Sequence, residues 1–535
     1  MAALDGRGLT AHDSGLCAGG YDRRVNLDTD VDSAPAEDRP DALTPAGPPP
    51  TVNTVAHGVS WKLLTVAVGQ GSWYLSLFVL ALLVPPRDFG VTAIASVVVS
   101  FTLLILEAGT SGSLIIAREL DPASVRRALI RTSLAGIVAT LAFVALAGPI
   151  ADAFTGGSDA GVLRVIAATV GLAAIAIVPN ALLSKQLRFK TMSKITITAA
   201  VAASIAAVIA AVLGLGVWAL AVRLVVNQLL LTALSVAAAR HLMPRPTPGG
   251  APAARLAGST AFLLIAGAGV VAWSFDNLAV GAFTNPTQLG LYSLAFALAY
   301  SPLTVISWSV GAVLLPAIAA ARDEEAARRQ TLKAVRMMTL LLLPLLPVAI
   351  ALAPGVIPDV LGRKWEGMVV PFQILVVVGI GQGILNALGE GLAGAGVRSA
   401  NARARIDVVW ASVTIVAIIV GADVAGIRGA AVAHVATFVG LAAAYGWRGG
   451  RGIGLSMAIF SRALRGVAGC VLVQAAVTAA VAVSLETAGA TALAAGLAGA
   501  GAGVAALAVA LRVGAGALLS EGRDVMAATL RRKAA

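Results

Sequence analysis

The chain has 535 residues, 58% of them hydrophobic and only 12% charged, with a formal net charge of +12. The positive charge lies in short loops between hydrophobic segments, with no basic domain, which excludes a nucleic-acid partner. Two cysteines, Cys17 and Cys470, leave no disulfide framework. The histidines His12, His57, His241 and His434 show no metal-ligand spacing, so neither a metal nor a bound cofactor is expected.

Residues 1–58 are polar and carry the run Pro45-Ala46-Gly47-Pro48-Pro49-Pro50. Such a segment buries too little apolar surface to fold. No apolar core follows a basic start there, so it does not read as a cleavable signal peptide. It is expected to be a disordered cytoplasmic extension, or to reflect a start codon assigned too early.

From Trp61 to about Arg512 the chain is a train of apolar segments. A bilayer core of about 30 Å takes about 20 apolar residues per helix. Fourteen spans are read, beginning near Trp61, Phe89, Ala128, Val162, Lys194, Gly216, Ser259, Leu289, Leu332, Met368, Arg403, Ile427, Arg465 and Thr491. Basic residues crowd the gaps after even-numbered spans, as in Arg118, Arg126, Arg127 and Arg131, or Lys185, Arg188, Lys190 and Lys194. The odd gaps hold only Arg87, Arg164, Arg363, Lys364 and Arg428. By the positive-inside rule the even gaps and both termini face the cytoplasm. The fold class expected is an all-α polytopic protein of the cytoplasmic membrane.

The chain also repeats itself. An offset of 200 superposes Gly69 on Gly269, Trp73 on Trp273, and Phe89-Gly90-Val91 on Leu289-Gly290-Leu291. An offset of 210 superposes Arg188 on Arg398, and Gly216-Val217-x-Ala219 on Gly426-Ile427-x-Gly429. Each half then holds six helices, an even number, so both enter the membrane the same way and are related by a pseudo-twofold axis along its normal. The expected division is an N-lobe over 59–240, a cytoplasmic linker over 241–258 and a C-lobe over 259–447. Spans 13 and 14 over 448–515 lie outside the repeat, and a cytoplasmic tail follows over 516–535. Two six-helix lobes about a central axis are the usual architecture of an alternating-access carrier.

Several motifs resemble those of a known family. Leu106-Glu107-Ala108-Gly109 followed by Leu114-Ile115-Ile116-Ala117-Arg118 is similar to the second-span motif of bacterial polysaccharide transporters. Pro179-Asn180-Ala181-Leu182-Leu183 with Lys185-x-Leu187-Arg188-Phe189, and the turn Leu213-Gly214-Leu215-Gly216-Val217-Trp218, resemble the segments that follow. Asp276-Asn277-Leu278, Leu289-Gly290-Leu291-Tyr292-Ser293 and Gly362-x-Lys364-Trp365 complete the pattern over about residues 60–450. These mark the oligosaccharide flippases of the multidrug/oligosaccharidyl-lipid/polysaccharide exporter superfamily. Glu107, where the pattern has aspartate, and the long polar N-terminus depart from it. The resemblance implies translocation of an isoprenoid-(pyro)phosphate-linked oligosaccharide from the cytoplasmic to the outer leaflet. The implied partners are that substrate, membrane lipids, and the glycosyltransferases and polymerase that make and use it.

Ionisable residues inside spans are costly and are functional candidates by default. Arg223 lies about 10 Å into span 6 and Asp276 about 12 Å into span 7, at 1.5 Å per residue. Matched in depth and opposite in charge, they read either as an interlobe ion pair that closes the outer side or as two local caps. Arg223 is also suited to hold a phosphate, and Arg118 to meet it first, unless Arg118 only snorkels to the headgroups. Glu107 and Glu390 sit toward the cytoplasmic ends of spans 2 and 10. Either can carry H⁺ or bind Na⁺ as a coupling ion, or simply hydrogen-bond its neighbours. Gln70, Asn227, Gln228, Gln382 and Asn386 suit sugar hydroxyls or helix contacts equally. Trp73 and Trp273 stack on sugar or pack between helices; Trp218, Trp365 and Trp447 fit an interfacial aromatic belt.

Two other functions compete. A drug or cation antiporter of the same superfamily shares the core, but its cationic substrates favour acidic cavities without arginine. A membrane glycosyltransferase or polymer ligase places catalytic groups in a large external loop. The longest external gap here runs only from about Pro354 to Gly367, so an enzyme is not expected.

Overall fold

The computed structural model describes residues 65–107, 122–186, 188–243, 275–300, 324–394, 397–449 and 457–514, with Leu114 and Ile318. The secondary structure among these residues is helical throughout. Among the described residues ten helices are long and apolar enough to cross a membrane, and a shorter apolar one covers Val68–Leu83. Span 1 is Gly71–Leu83, entered through a π-helical turn over Thr65–Gln70. Spans 2 to 6 are Pro86–Glu107, Pro122–Thr155, Ala160–Lys185, Phe189–Val212 and Val217–Ala239. Spans 7 and 8 are described over 275–283 and 286–300.

Span 9 breaks into Glu324–Leu342 and Leu345–Val356 at Leu343-Pro344, and span 10 is Val369–Gly394. The long helix Val397–Ala444 has non-helical backbone at Ala425 and Gly426, so it divides into span 11 (397–424) and span 12 (427–444). Spans 13 and 14 are Met457–Thr487 and Ala492–Gly514. The expected N-terminal extension and cytoplasmic tail, and most of the linker after span 6, lie outside the described residues.

In hydrocarbon each backbone polar group needs a partner from the chain itself, which a helix supplies. Hydroxyl side chains inside the spans follow the same rule. Thr92, Ser96, Thr132 and Thr155 each donate to a carbonyl one turn back in their own helix.

The duplication is visible residue by residue. Residues 81–90 and 281–290 run through the same sequence of helix, bend and helix. Gly216 before span 6 has φ 54° and ψ −124°, and Gly426 before span 12 has φ 57° and ψ −138°. Glycine adopts such a conformation without a Cβ clash, which is why the offset of 210 keeps it. Asp88 and Gln288, repeat mates 200 residues apart, lie against these two glycines. Asp88 Oδ2 is 3.1 Å from where a Cβ on Gly216 would sit, and Gln288 Oε1 is 3.4 Å from the equivalent point at Gly426.

The lobes meet at the arginine-poor end of the bundle. Spans 2 and 8 cross there so closely that a Cβ on Gly90 would overlap the Pro286 carbonyl oxygen. Reciprocally, a Cβ on Gly290 would overlap the carbonyl oxygen of Pro86. Contacts that exchange partners in this way mark the pseudo-twofold axis. Beside the crossing, Lys364 Nζ from the C-lobe donates to the carbonyls of Leu82 at 2.9 Å and Val84 at 3.1 Å, which end span 1. Trp365 Nε1 donates to the Ala81 carbonyl at 2.8 Å, and its ring meets Phe89 edge-on at 5.2 Å.

Trp365 is therefore no belt residue: it is fully buried between the lobes. Its nearness to a span end in sequence did not distinguish a lipid-facing ring from a lobe-facing one. Trp218 and Trp447, at 41% and 63% exposed, do fit the belt. One hydrophobic core runs through this junction, joining Leu77, Leu80 and Phe89 to Tyr292, Trp365 and Met368.

Spans 13 and 14 pack on the broken span 9. Gln474, fully buried, donates to the Pro344 carbonyl at 2.9 Å, in the turn between the two halves of span 9. Gly355 of span 9 lies against Leu493, and Gly496 against the Ala351 carbonyl. Gly499 and Gly503 lie against span 13 at Thr478, so this glycine run is a packing surface.

Candidate functional site

Just beyond the interlobe seal, a cavity of about 240 Å³ opens between the lobes. Span 1 contributes Trp73 and Leu77, span 2 Thr92, Ser96 and Ser100, and span 6 Leu220, Arg223 and Leu224. The C-lobe closes it with Asn277 of span 7 and with Ser293, Phe296 and Ala297 of span 8. Its wall thus mixes apolar side chains with small hydroxyls, one amide and one cation.

Arg223 is 3% exposed. Its guanidinium carbon lies 3.4 Å from the centroid of the Trp73 ring, and Nη2 donates to the Trp73 carbonyl at 3.2 Å. A desolvated cation–π contact of this kind contributes about 2 kcal/mol. Arg223 Nε is left without a hydrogen-bond partner. An arginine buried at membrane depth with a free donor is poised to accept an anionic group from the cavity.

Asp276 is fully buried, but it lies in the C-lobe core and does not line the cavity. Its Oδ1 accepts the Asn277 backbone N–H at 2.8 Å. The Tyr292 hydroxyl approaches the carboxylate, yet Asp276 Oδ2 and Tyr292 Oη are each left without a well-formed hydrogen bond. Of the two readings of Arg223 and Asp276, this structure shows no ion pair between them and gives each local partners, although the arginine-poor end is sealed. Depth is matched but facing is not: Arg223 turns to Trp73 and Asp276 to its own lobe.

Spans 1–6 and 7–12 form a duplicated helical frame with an arginine in the cavity between them, and the comparisons agree with that frame. A family profile described as "Polysaccharide biosynthesis protein" matches residues 79–370, more than half of the chain. The chain belongs to this family. Among curated relatives, the succinoglycan biosynthesis transport protein ExoT of Rhizobium meliloti (strain 1021) is 24% identical over 63% of this chain and 68% of its own length. The lipopolysaccharide biosynthesis protein WzxC of Escherichia coli (strain K12) is 23% identical over 70% of this chain and 76% of its own. Among solved structures, the lipid II flippase MurJ in an inward closed conformation superposes with a TM-score of 0.66 at 10% identity, covering 86% of this chain and 98% of that one. An inward-facing multidrug resistance MATE transporter gives 0.57 at 13% identity over 74% and 98%. These superpositions establish the fold of the multidrug/oligosaccharidyl-lipid/polysaccharide exporters.

The other candidates fall in different places. Gln70 ends the π-helical turn before span 1, and Asn227 lies one turn beyond Arg223 on span 6; both are half-buried and neither lines the cavity. Glu107 ends span 2 and is exposed. Glu390 is ion-paired with Arg403 at 3.2 Å, and Arg403 also reaches Asp407 at 3.5 Å, so Glu390 belongs to a charge cluster. Gln382 donates to Asn386 on the same helix. Arg118 and Trp273 lie outside the described residues.

Sequence reasoning missed Asn277 and the hydroxyls Ser96, Ser100 and Ser293. Asn277 stood beside a more conspicuous aspartate, and neighbours on a helix point about 100° apart. Depth alone does not say which of the two faces the cavity.

Proposed function

We propose that this chain flips an isoprenoid-(pyro)phosphate-linked oligosaccharide across the cytoplasmic membrane by alternating access, for cell-surface polysaccharide biosynthesis. The observation that carries the reading is Arg223, a buried guanidinium with a free donor in a cavity shared by both lobes. Family membership and the relatives named for polysaccharide transport and lipopolysaccharide biosynthesis support it. A sugar-phosphate headgroup cannot cross hydrocarbon uncompensated. Arg223 meets its phosphate, and the hydroxyls of Ser96, Ser100 and Ser293 with the Asn277 amide meet its sugar. The isoprenoid tail stays in the bilayer.

Orientation follows from charge: the arginine-rich end is cytoplasmic, with both termini, and the sealed end faces outward. The conformation is then outward-closed. Asp276 is the coupling-ion residue in this reading, because a buried carboxylate with an unpartnered oxygen can take up H⁺ or Na⁺. The chain carries no catalytic role, and the enzymes that build and polymerise the oligosaccharide supply and consume its cargo. A cationic drug is the less suitable substrate, since the cation in the cavity repels it.

The test is translocation of a fluorescent isoprenoid-pyrophosphate oligosaccharide in proteoliposomes, with and without a proton or sodium gradient. Wild type is expected to move it and Arg223→Ala to lose that movement. Efflux of a cationic dye, with no movement of the lipid-linked sugar, overturns the assignment in favour of the antiporter.

A further inference from the structure

Spans 11 and 12 touch near their shared turn, where a Cβ on Gly421 would overlap the Gly429 carbonyl oxygen and one on Gly429 that of Gly421. On the arginine-rich side of that turn a groove of about 600 Å³ opens between them, and beyond it Tyr445, just past span 12, donates its hydroxyl to Asp407 of span 11 at 2.6 Å. Span 11 lines the groove with Arg405, Val409, Trp410 and Val413, and span 12 offers small residues such as Gly440 and Ala444. Arg405 to Val413 spans about 12 Å at 1.5 Å per residue. A Cβ on Gly440 would meet nothing within 4 Å.

Val409 and Val413 are 63% and 53% exposed, so the groove opens sideways to the surroundings of the bundle. It shares no lining residue with the interlobe cavity. A space this apolar does not retain water, which needs two to four polar partners. In a bilayer the occupant at hand is a hydrocarbon chain. The charge at the mouth narrows the choice further. Arg405 is exposed and forms no ion pair among the described residues, whereas Arg403 is engaged with Glu390 and Asp407. Basic pockets between helices at the cytoplasmic side select anionic lipid headgroups.

We propose that this groove is a binding site for an anionic phospholipid, with one acyl chain between spans 11 and 12 and the phosphate on Arg405. Its separation from the interlobe cavity makes the occupant a resident lipid and not the translocated cargo. The site would fill the space between two helices that are tied at its arginine-rich end by the Tyr445 hydroxyl, which donates to Asp407 at 2.6 Å.

Native mass spectrometry tests it, on full-length protein re-equilibrated with phosphatidylglycerol, phosphatidylcholine or a polyisoprenyl phosphate. Wild type is expected to retain phosphatidylglycerol over phosphatidylcholine by about fivefold, the weight of one basic side chain near an anionic group. Gly440→Leu fills open space in the groove and is expected to lower retention of both phospholipids. Arg405→Gln keeps the groove and is expected to bring the preference close to one, which holds the proposal to account even if Gly440→Leu folds poorly. Equal retention by wild type and a folded Gly440→Leu overturns it, as does an unchanged preference in Arg405→Gln. Stronger retention of polyisoprenyl phosphate than of phosphatidylglycerol also overturns it, because the groove would then serve the cargo.

Discussion

The crossing of spans 2 and 8 offers the sharpest perturbation. Alanine in place of Gly90 favours the helix by about 1 kcal/mol in itself. Here, however, the added methyl overlaps the Pro286 carbonyl oxygen of the other lobe, and backbone cannot swing aside as a side chain can. Overpacking of this kind costs about 1–3 kcal/mol, and the cost falls only on the state in which the lobes touch. The closed state should therefore lose weight against the open one by roughly 5–150-fold. Gly290→Ala strikes the Pro86 carbonyl and should act alike.

The readout is labelling of a cysteine at Ser96, which lines the cavity, by a membrane-impermeant maleimide added from the arginine-poor side, with Cys17 and Cys470 replaced. Labelling should accelerate in both variants by a factor in that range, while the melting temperature reports that the protein is still folded. Unchanged labelling in both folded variants refutes the claim that this crossing holds the outer side shut.

Trp365→Phe keeps the ring against Phe89 but strands the Ala81 carbonyl; an unmet buried acceptor costs about 1–3 kcal/mol, so labelling at Ser96→Cys should rise here too. Gln474→Leu removes a fully buried side-chain hydrogen bond to the Pro344 carbonyl without opening the lobes, so the melting temperature should fall while labelling at Ser96→Cys stays put. Arg223→Lys retains the charge but loses the planar fork and its stacking on Trp73, so translocation should fall by about tenfold or more, and a fully active lysine variant would show that charge alone suffices. Glu390→Gln removes one partner of a pair that is 25% exposed on each side and leaves Arg403 its second partner Asp407, so it should change stability by about 1 kcal/mol or less in thermal unfolding, with gradient-dependent transport unaltered.

Much of the frame is legible in the sequence because the bilayer imposes it. Hydrocarbon thickness sets the length of each span, and loop arginines set the direction. The repeat shows through Gly216 and Gly426 because their backbone conformation tolerates little else. What faces what is far less legible. A soluble helix announces its buried side by an apolar stripe against a polar one. In spans such as Gly71–Leu83 or Ala160–Lys185 both the lipid side and the packed side are apolar, so no stripe separates them. Hence the sequence singles out Asp276 by its charge and passes over Asn277, and it places Trp365 by depth alone. The partner of Glu390, Arg403, sits on the next span, and sequence spacing does not pair the two.

The structure also shows why a duplicated frame serves a directional task. At the crossing the two halves carry the same residues, Pro86 with Pro286 and Gly90 with Gly290, and the contact there is reciprocal. At the two buried charges the mates differ. The position of Arg223 in the N-lobe corresponds at an offset of 210 to Ala433 in the C-lobe, and that of Asp276 corresponds at an offset of 200 to Ser76. Cation and carboxylate therefore survive once each, in opposite lobes, and the carboxylate is turned into its lobe and away from the cavity. If the two were paired, as equal depth suggested, binding an anion at Arg223 would have to break a salt bridge first. Because they are separate, the proposed function has an anionic headgroup at Arg223 and a coupling ion at Asp276 bind independently. The two sites can then influence each other only through the lobes' relative position, which the Gly90–Gly290 crossing controls. The Arg223→Ala and Asp276→Asn variants should accordingly lose different functions, cargo binding in the first and gradient dependence in the second. A double charge reversal at the two sites should rescue neither; rescue would show that they meet in another conformation.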